Sequence, residues 1–338
     1  MQAFTDTYCT CLVEGDRSKH IVETHVKDIL VKTLQPVFQK QTQIHPTLSR
    51  RPEPKYRAAH ESELHENQQW KENNYVDIMY WLVKEISSND LKENLHLILP
   101  PVLIILDDYD IEYKEEGVKM VHYIVNKLDS EQTSRMGLDS LFFESLFSCL
   151  LRLSQDREEP LVKVAYPCIL DLIASVKDQH KRSDLYERVL KDGIVTGYLY
   201  AGQKILFLPI LLKPIVTLYN QLGSIGVQYL KAIIPMLCDS MAMISSNNRV
   251  IQGINLAATE SLIVVIKKCW PRIPEYKGLI MKSIAKTWAY YHKNNDAKMC
   301  DTLKQLYKVF EAACQGQEKM DKEALLNYNT QVYEALFS

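Results

Sequence analysis

The chain has 338 residues, 46% of them apolar and 24% charged, so it can bury a continuous core and is excluded from the disordered class. Its formal charge of −2 excludes a general nucleic-acid binder, which carries a basic balance or a basic stripe. Eleven glycines are few for this length, against an average usage of roughly 7%; the shortage favours helices joined by short loops over strands and tight turns.

The first predicted element is an amphipathic helix from about Lys19 to Leu34, where Val22, Val26, Ile29 and Leu30 fall at i, i+4, i+7 and i+8. Pro36 is expected to end or redirect it, and residues 1–42 read as an N-terminal helical segment. Between residues 43 and 68 the periodicity is lost among Pro46, Pro52, Pro54 and charged side chains, the pattern of a linker or an extended arm. Residues 69–338 read as an array of helices at about 70–86, 91–106, 111–128, 138–153, 158–177, 181–191, 203–221, 225–242, 249–269, 275–292, 297–315 and 321–336. The breaks Ser87–Asp90, Asp129-Ser130, Gln155-Asp156 and Ser245–Asn248 supply capping and turn residues. No Asn-Gly or Asp-Gly hairpin joins alternating β-branched runs. The predicted fold class is all-α, an α-solenoid of HEAT-like antiparallel helix pairs.

The repeat grammar is clearest between Pro101 and Val121. Pro101, Leu103, Leu106 and Asp108 form a proline-bent first helix with an acidic turn; Tyr113, Lys114, Gly117 and Val121 open the second helix. Asp110 can cap the amides of that helix and favour its positive dipole end, and the small Gly117 lets two helices approach. Looser copies are Leu150, Leu153, Asp156 with Val162, Lys163, Ala165, and Tyr229, Leu230, Pro235, Leu237 with Arg249 and Val250.

Catalytic, cofactor and metal constellations are not found. His60 and His65, like His20 and His25, are five apart, whereas a helical zinc pair needs i, i+4 so that both imidazoles share a face. Asp107 and Asp108 are adjacent, so they point to different sides and read as a turn or cap. Gly202-Gln203-Lys204 lacks the glycine spacing of a phosphate loop, and Cys9-Thr10-Cys11 is too isolated for a metal. The basic cluster of Arg50, Arg51, Lys55 and Arg57 sits in the proline-broken segment and reads as solvated. The eight cysteines are scattered without a CxxC pair, and no N-x-S/T sequon occurs. The charges Asp6, Glu14, Asp16 and Arg17 break any N-terminal signal core. The longest apolar run, Leu97–Leu106, is too short to span a bilayer. A reducing compartment, cytosol or nucleus, and no membrane are expected. Trp270, Trp288, Tyr290 and Tyr291 concentrate aromatic surface near the C-terminal helices, either as core or as a partner-binding hot spot.

The run LHLILPPVLIILDDYDIEYKEEGVKMVHYIVNKL, residues 95–128, resembles the hallmark of the TELO-two-interacting-protein-two family. The matching residues are Pro100, Pro101, Leu103, Leu106, Asp107, Asp108, Tyr109, Tyr113, Lys114 and Gly117, followed by Phe143 to Leu146 in part and by Ala165, Tyr166, Pro167, Leu170 and Leu172. The firm part of the likeness covers about residues 91–175. Larger members carry a longer N-terminal region, so the chain is expected to be a short member. The resemblance implies a noncatalytic subunit of the triple-T cochaperone complex. Its direct partner would be the C-terminal part of the large first Tel-two-interacting subunit. The Tel-two protein, Hsp90, its R2TP adaptor and the phosphatidylinositol-three-kinase-related kinases would be reached through the complex, in cytoplasm and nucleus. The alternative is another HEAT or armadillo adaptor that binds an extended peptide in transport or as a phosphatase scaffold.

Overall fold

The computed structural model describes residues 14–42, 69–244 and 249–337. The 43–68 arm with its basic cluster and with His60 and His65, the Cys9-Thr10-Cys11 stretch and the Ser245–Asn248 break lie outside the described residues. Within them the fold is all-helical and holds no strand. The α-helices in chain order are α1 Glu14–Asp28, α2 Gln35–Thr42, α3 Tyr75–Glu85, α4 Ser88–Asp107, α5 Ile111–Lys127, α6 Ser130–Arg135, α7 Leu138–Leu150 and α8 Glu159–Ser175. They continue with α9 Gln179–Arg188, α10 Thr196–Ala201, α11 Leu208–Leu222, α12 Leu230–Met241, α13 Arg249–Cys269, α14 Lys277–Lys293, α15 Ala297–Cys314, α16 Lys319–Tyr328 and α17 Thr330–Phe337.

Pro36 does not end the first helix. A π-helical stretch, Ile29–Leu34, joins α1 to α2, and the Gln35 amide donates to Leu30 O, five residues back. Widening the ladder just before the proline accommodates the ring and the missing amide, so the chain stays helical through it. A second π stretch, Val189–Val195, carries α9 into α10, so the helix expected to stop near 191 runs on to Ala201. Residues 202–207, expected to open a helix at 203, form a turn, and α11 begins at Leu208 with a proline in its first turn. Asn73 and Asn74 are both left-handed, with φ of 51° and 59°, which delays α3 until Tyr75. Asp129 is not a plain break: its side chain accepts from the Gln132 amide and caps the short α6. At the C-terminus Asn329 leaves the helical region and divides one expected helix into α16 and α17.

The chain forms two compact units. One comprises residues up to Leu146 with Cys168–Lys177; the other comprises Phe147–Pro167 with Asp178–Ser338. In the first, α1 packs on α3, α2 on α4, and α5 on both α3 and α4. In the second, α11, α13 and α15 lie side by side, α12 packs on α13 and α14, and α17 covers α14 and α15. Each helix presents an apolar stripe to these contacts; on α13 it includes Ile254, Ala258, Leu262, Val265 and Ile266, all fully buried.

The stretch Arg249–Lys293 is long and apolar enough to cross a membrane by length and composition, but 61% of its most apolar window is buried in its own unit. Its polar groups are also built into that unit. Asn255 Nδ2 lies 2.8, 2.9 and 3.0 Å from the carbonyls of Ser240, Met241 and Met243, at the end of α12. Ser261 donates to Leu212 O and Thr287 to Met241 O, both at 3.1 Å. The stretch is a core helix pair of a globular unit.

Candidate protein-interaction surface

The hallmark residues build an elbow between α4 and α5. Pro100 and Pro101 lie inside α4, with Leu103 half-buried and Leu106 fully buried at its end. A Cβ on Gly117 would sit 2.6 Å from both Leu106 Cα and Leu106 N, so α5 crosses α4 backbone to backbone at this point. Three residues earlier, buried Lys114 turns its Nζ onto Leu106 O at 2.6 Å and satisfies a carbonyl that the helix end leaves free. Asp110 caps α5 through the Glu112 amide, as its position in the sequence suggests.

The two aspartates separate in role. Asp107 is exposed as the last residue of α4, whereas Asp108 Oδ1 accepts from Lys71 Nζ at 2.9 Å and from the Asp110 amide at 2.8 Å. Lys71 Nζ also lies 5.2, 4.4 and 4.8 Å from the ring centroids of Trp70, Tyr109 and Tyr113. Trp70 meets Tyr113 edge-on at 5.3 Å and stacks on Phe38 at 5.9 Å. The 3-10 turn Gln69–Lys71 is thereby clamped to the elbow by charge and aromatic contact. Lys71 and Trp70 carry no sequence signal for this role, because the residues they meet lie more than thirty positions away. Ala165 and Tyr166 are buried core of α8, and Pro167 is exposed on the same helix. Most of the hallmark is architecture, with Tyr109 its most exposed large side chain at 72%.

The C-terminal aromatic residues do not converge on one surface. Trp288 is 1% exposed and donates its indole N–H to Val332 O at 2.7 Å, fixing α17 on α14. Tyr291 is buried too and donates to Asn255 Oδ1 at 2.6 Å; Tyr290 packs edge-on against it. Tyr290 is half-buried, and Trp270, at 50%, is the most exposed of the four and forms one wall of a groove of about 370 Å³ between α13 and α15.

A second apolar exposure sits where sequence patterning suggests only the start of a helix. Leu199 and Tyr200, 79% and 78% exposed, end α10, and Ile205 and Leu206 follow in the turn. The turn is held in place: Ala201 and Phe207 are fully buried on either side of it, and Lys204 Nζ donates to the carbonyls of Leu153 and Ser154, both at 2.7 Å. Exposed Leu151 lies two residues before that anchor. Large apolar side chains left open this close together in the chain are the raw material of an interaction surface. Its sequence signal is the run Ile205-Leu206-Phe207-Leu208, which has no polar face in a helical reading.

No cluster of three or more His, Cys, Asp or Glu side chains suited to a metal occurs among the described residues. All the described cysteines are buried except Cys300, which is half-buried. Burial pushes the thiol of Cys238 up to about 12 and those of Cys269 and Cys314 up to about 11, opposite to what an activated nucleophile needs.

A sequence model of the Tti2 family matches residues 2–244. The chain belongs to the Tti2 family. TELO2-interacting protein 2 of Mus musculus is 24% identical over 272 residues, which make up 78% of this chain and 49% of the mouse protein. The rat protein is 23% identical over the same length, and the human one 21% over 225 residues, 64% of this chain and 42% of its own. This Tti2-family chain therefore spans about half the length of the curated relatives it matches. The likeness seen at residues 95–128 agrees with that membership, and both the elbow and the 199–206 ridge lie inside the matched region.

Proposed function

We propose that the chain is a noncatalytic helical-repeat subunit of the triple-T cochaperone complex. The observation that carries this reading is the family match over residues 2–244. The relatives are named for interaction with TELO2. The helices are HEAT-like pairs: a proline-bearing α4 meets a capped α5 at an acidic elbow, and alternate helices α11, α13 and α15 pack in a row. The chain docks by its exposed apolar ridge, Leu199, Tyr200, Ile205 and Leu206, on the C-terminal part of the large first Tel-two-interacting subunit. Obligate interfaces of that type bury apolar ridges against partner helices. Through the complex it supports Hsp90- and R2TP-dependent maturation of phosphatidylinositol-three-kinase-related kinases, in cytoplasm and nucleus. No cofactor takes part.

The test is co-expression of the full chain with the large subunit. The wild type is expected to co-purify with it, and Leu199→Glu combined with Leu206→Glu to lose the complex while keeping native helical content by circular dichroism. Failure of the wild-type chain to bind would refute the assembly; full binding by the double variant would refute the ridge as its site.

A further inference from the structure

We infer that the groove beside Trp270 is a second docking site, built for an acidic amphipathic helix of another protein. It lies beyond residue 244, outside the family-matched region, and does not depend on the ridge. Its floor and walls are apolar: Ile266 and Trp270, four residues apart, come from the α13 side, and Val309 and Ala313, four apart, from α15. Two such rows on neighbouring packed helices leave a furrow between them, the shape that receives the ridge of a third helix. The alanines 312 and 313 keep the α15 row low, while Trp270 stands half-exposed as a rigid aromatic anchor.

The charge around the furrow chooses the occupant. Lys267 and Lys308 line it from opposite helices, and no carboxylate does. Lys268 and Lys304 stand close by in the chain, and none of these four lysines has an ion-pair partner among the described residues. Two of the neighbouring carboxylates are already engaged: Glu275 accepts from Arg272 at 2.8 Å, and Glu311 from Lys322 at 3.2 Å and from the Tyr307 hydroxyl at 3.1 Å. Glu260 lies about two turns before Lys267, and Asp301 about one turn before Lys304 and two before Lys308; neither lines the groove. An apolar trough with an unpaired cation on each rim complements a helix with one leucine-rich stripe flanked by glutamates.

The test uses the full chain and a synthetic helix of roughly 18 residues, long enough for five turns, with leucines at i, i+3, i+4 and i+7 and glutamates beside them. Trp70, Trp81 and Trp288 are buried, so a blue shift of tryptophan emission on titration reports Trp270. Saturable binding is expected, at least about tenfold tighter than that of the same peptide with lysines in place of glutamates. Trp270→Ala should weaken it about tenfold, and Lys267→Glu with Lys308→Glu should reverse the preference to the lysine peptide. Equal binding of both peptides, or no binding of the acidic one, overturns the proposal. So does tighter binding to phosphatidylserine vesicles than to the peptide, or self-association in sedimentation that Trp270→Ala abolishes. Because both variants change exposed side chains, unchanged thermal melts keep the comparison valid.

Discussion

At the scale of single residues, Gly117 is the tightest point of the elbow. The atoms a new Cβ would strike are the Leu106 backbone nitrogen and Cα, which cannot swing aside as a side chain can. Gly117→Ala should therefore cost about 1–3 kcal/mol, the range for overpacking a well-fitted contact. Gly253 and Gly278 lie in helices with nothing within 4 Å of a built Cβ. There the same substitution should stabilise by about 0.5–1 kcal/mol, through reduced freedom of the unfolded chain. Urea midpoints of the three variants check both signs at once. A small residue at 117 was legible from the repeat grammar, but its reason was not. The sequence shows that a helix approaches, whereas the fold shows that it approaches backbone. Lys71 was not legible at all, since a lysine beside a tryptophan becomes a clamp only when Asp108 and Tyr109 are folded against it.

Between helices, the recurrent device is a side chain from one helix that closes the carbonyl end of another. Lys114 does so for α4, Asn255 for α12, and Lys127 for α3, where its Nζ donates to the carbonyls of Val83, Lys84 and Ile86. Partial burial holds the Lys127 amine below its ordinary lysine value, with Glu85 opposing the shift. Lys127→Met keeps the stem and removes the three donors. It should cost about 1–2 kcal/mol and speed hydrogen exchange in the last turn of α3, while leaving α11 to α15 unchanged. Uniform acceleration across the chain would count against a local cap. These long-range caps also explain what patterning misses. Helical periodicity located nearly every helix, because burial of one stripe is a local property of the sequence. It misplaced ends and joints: a π stretch keeps the chain helical through Pro36, paired left-handed asparagines delay α3, and the 202–207 turn is held by Lys204 bonding to residues fifty positions away. None of those causes is periodic.

For the whole molecule, the family hallmark and the exposed surface turned out to be different things. The hallmark is legible because architecture at the elbow restricts residue type, whereas the apolar run 205–208 and the four C-terminal aromatic residues signal surface only in part, and their exposure, which requires the fold, singles out Leu199 to Leu206 and Trp270. The buried thiols add a property of the second unit as a whole. Burial raises Cys238 to about 12 and Cys269 and Cys314 to about 11, while in the unfolded chain each ionises near its ordinary value of roughly 8.5. Each folded value lies above the unfolded one, so the stabilisation is fully present below pH 8.5 or so and is lost as pH climbs towards 11. Buried Tyr219 and Tyr166 are shifted upward as well and extend the loss above pH 10. Lys127 acts in the opposite direction, since its folded value is lowered and rising pH relieves its burial. One half-buried lysine does not offset three thiols and two phenols. The urea midpoint should therefore be flat from pH 7 to about 8.5 and fall steadily from there to pH 10.5. Replacing Cys238, Cys269 and Cys314 together by alanine should lower the midpoint at pH 7, through the lost packing, and flatten the decline between pH 9 and 10. An equally steep decline between pH 9 and 10 in the triple variant would rule out these thiols as its cause, since the tyrosine window opens only about 1.5 pH units above theirs.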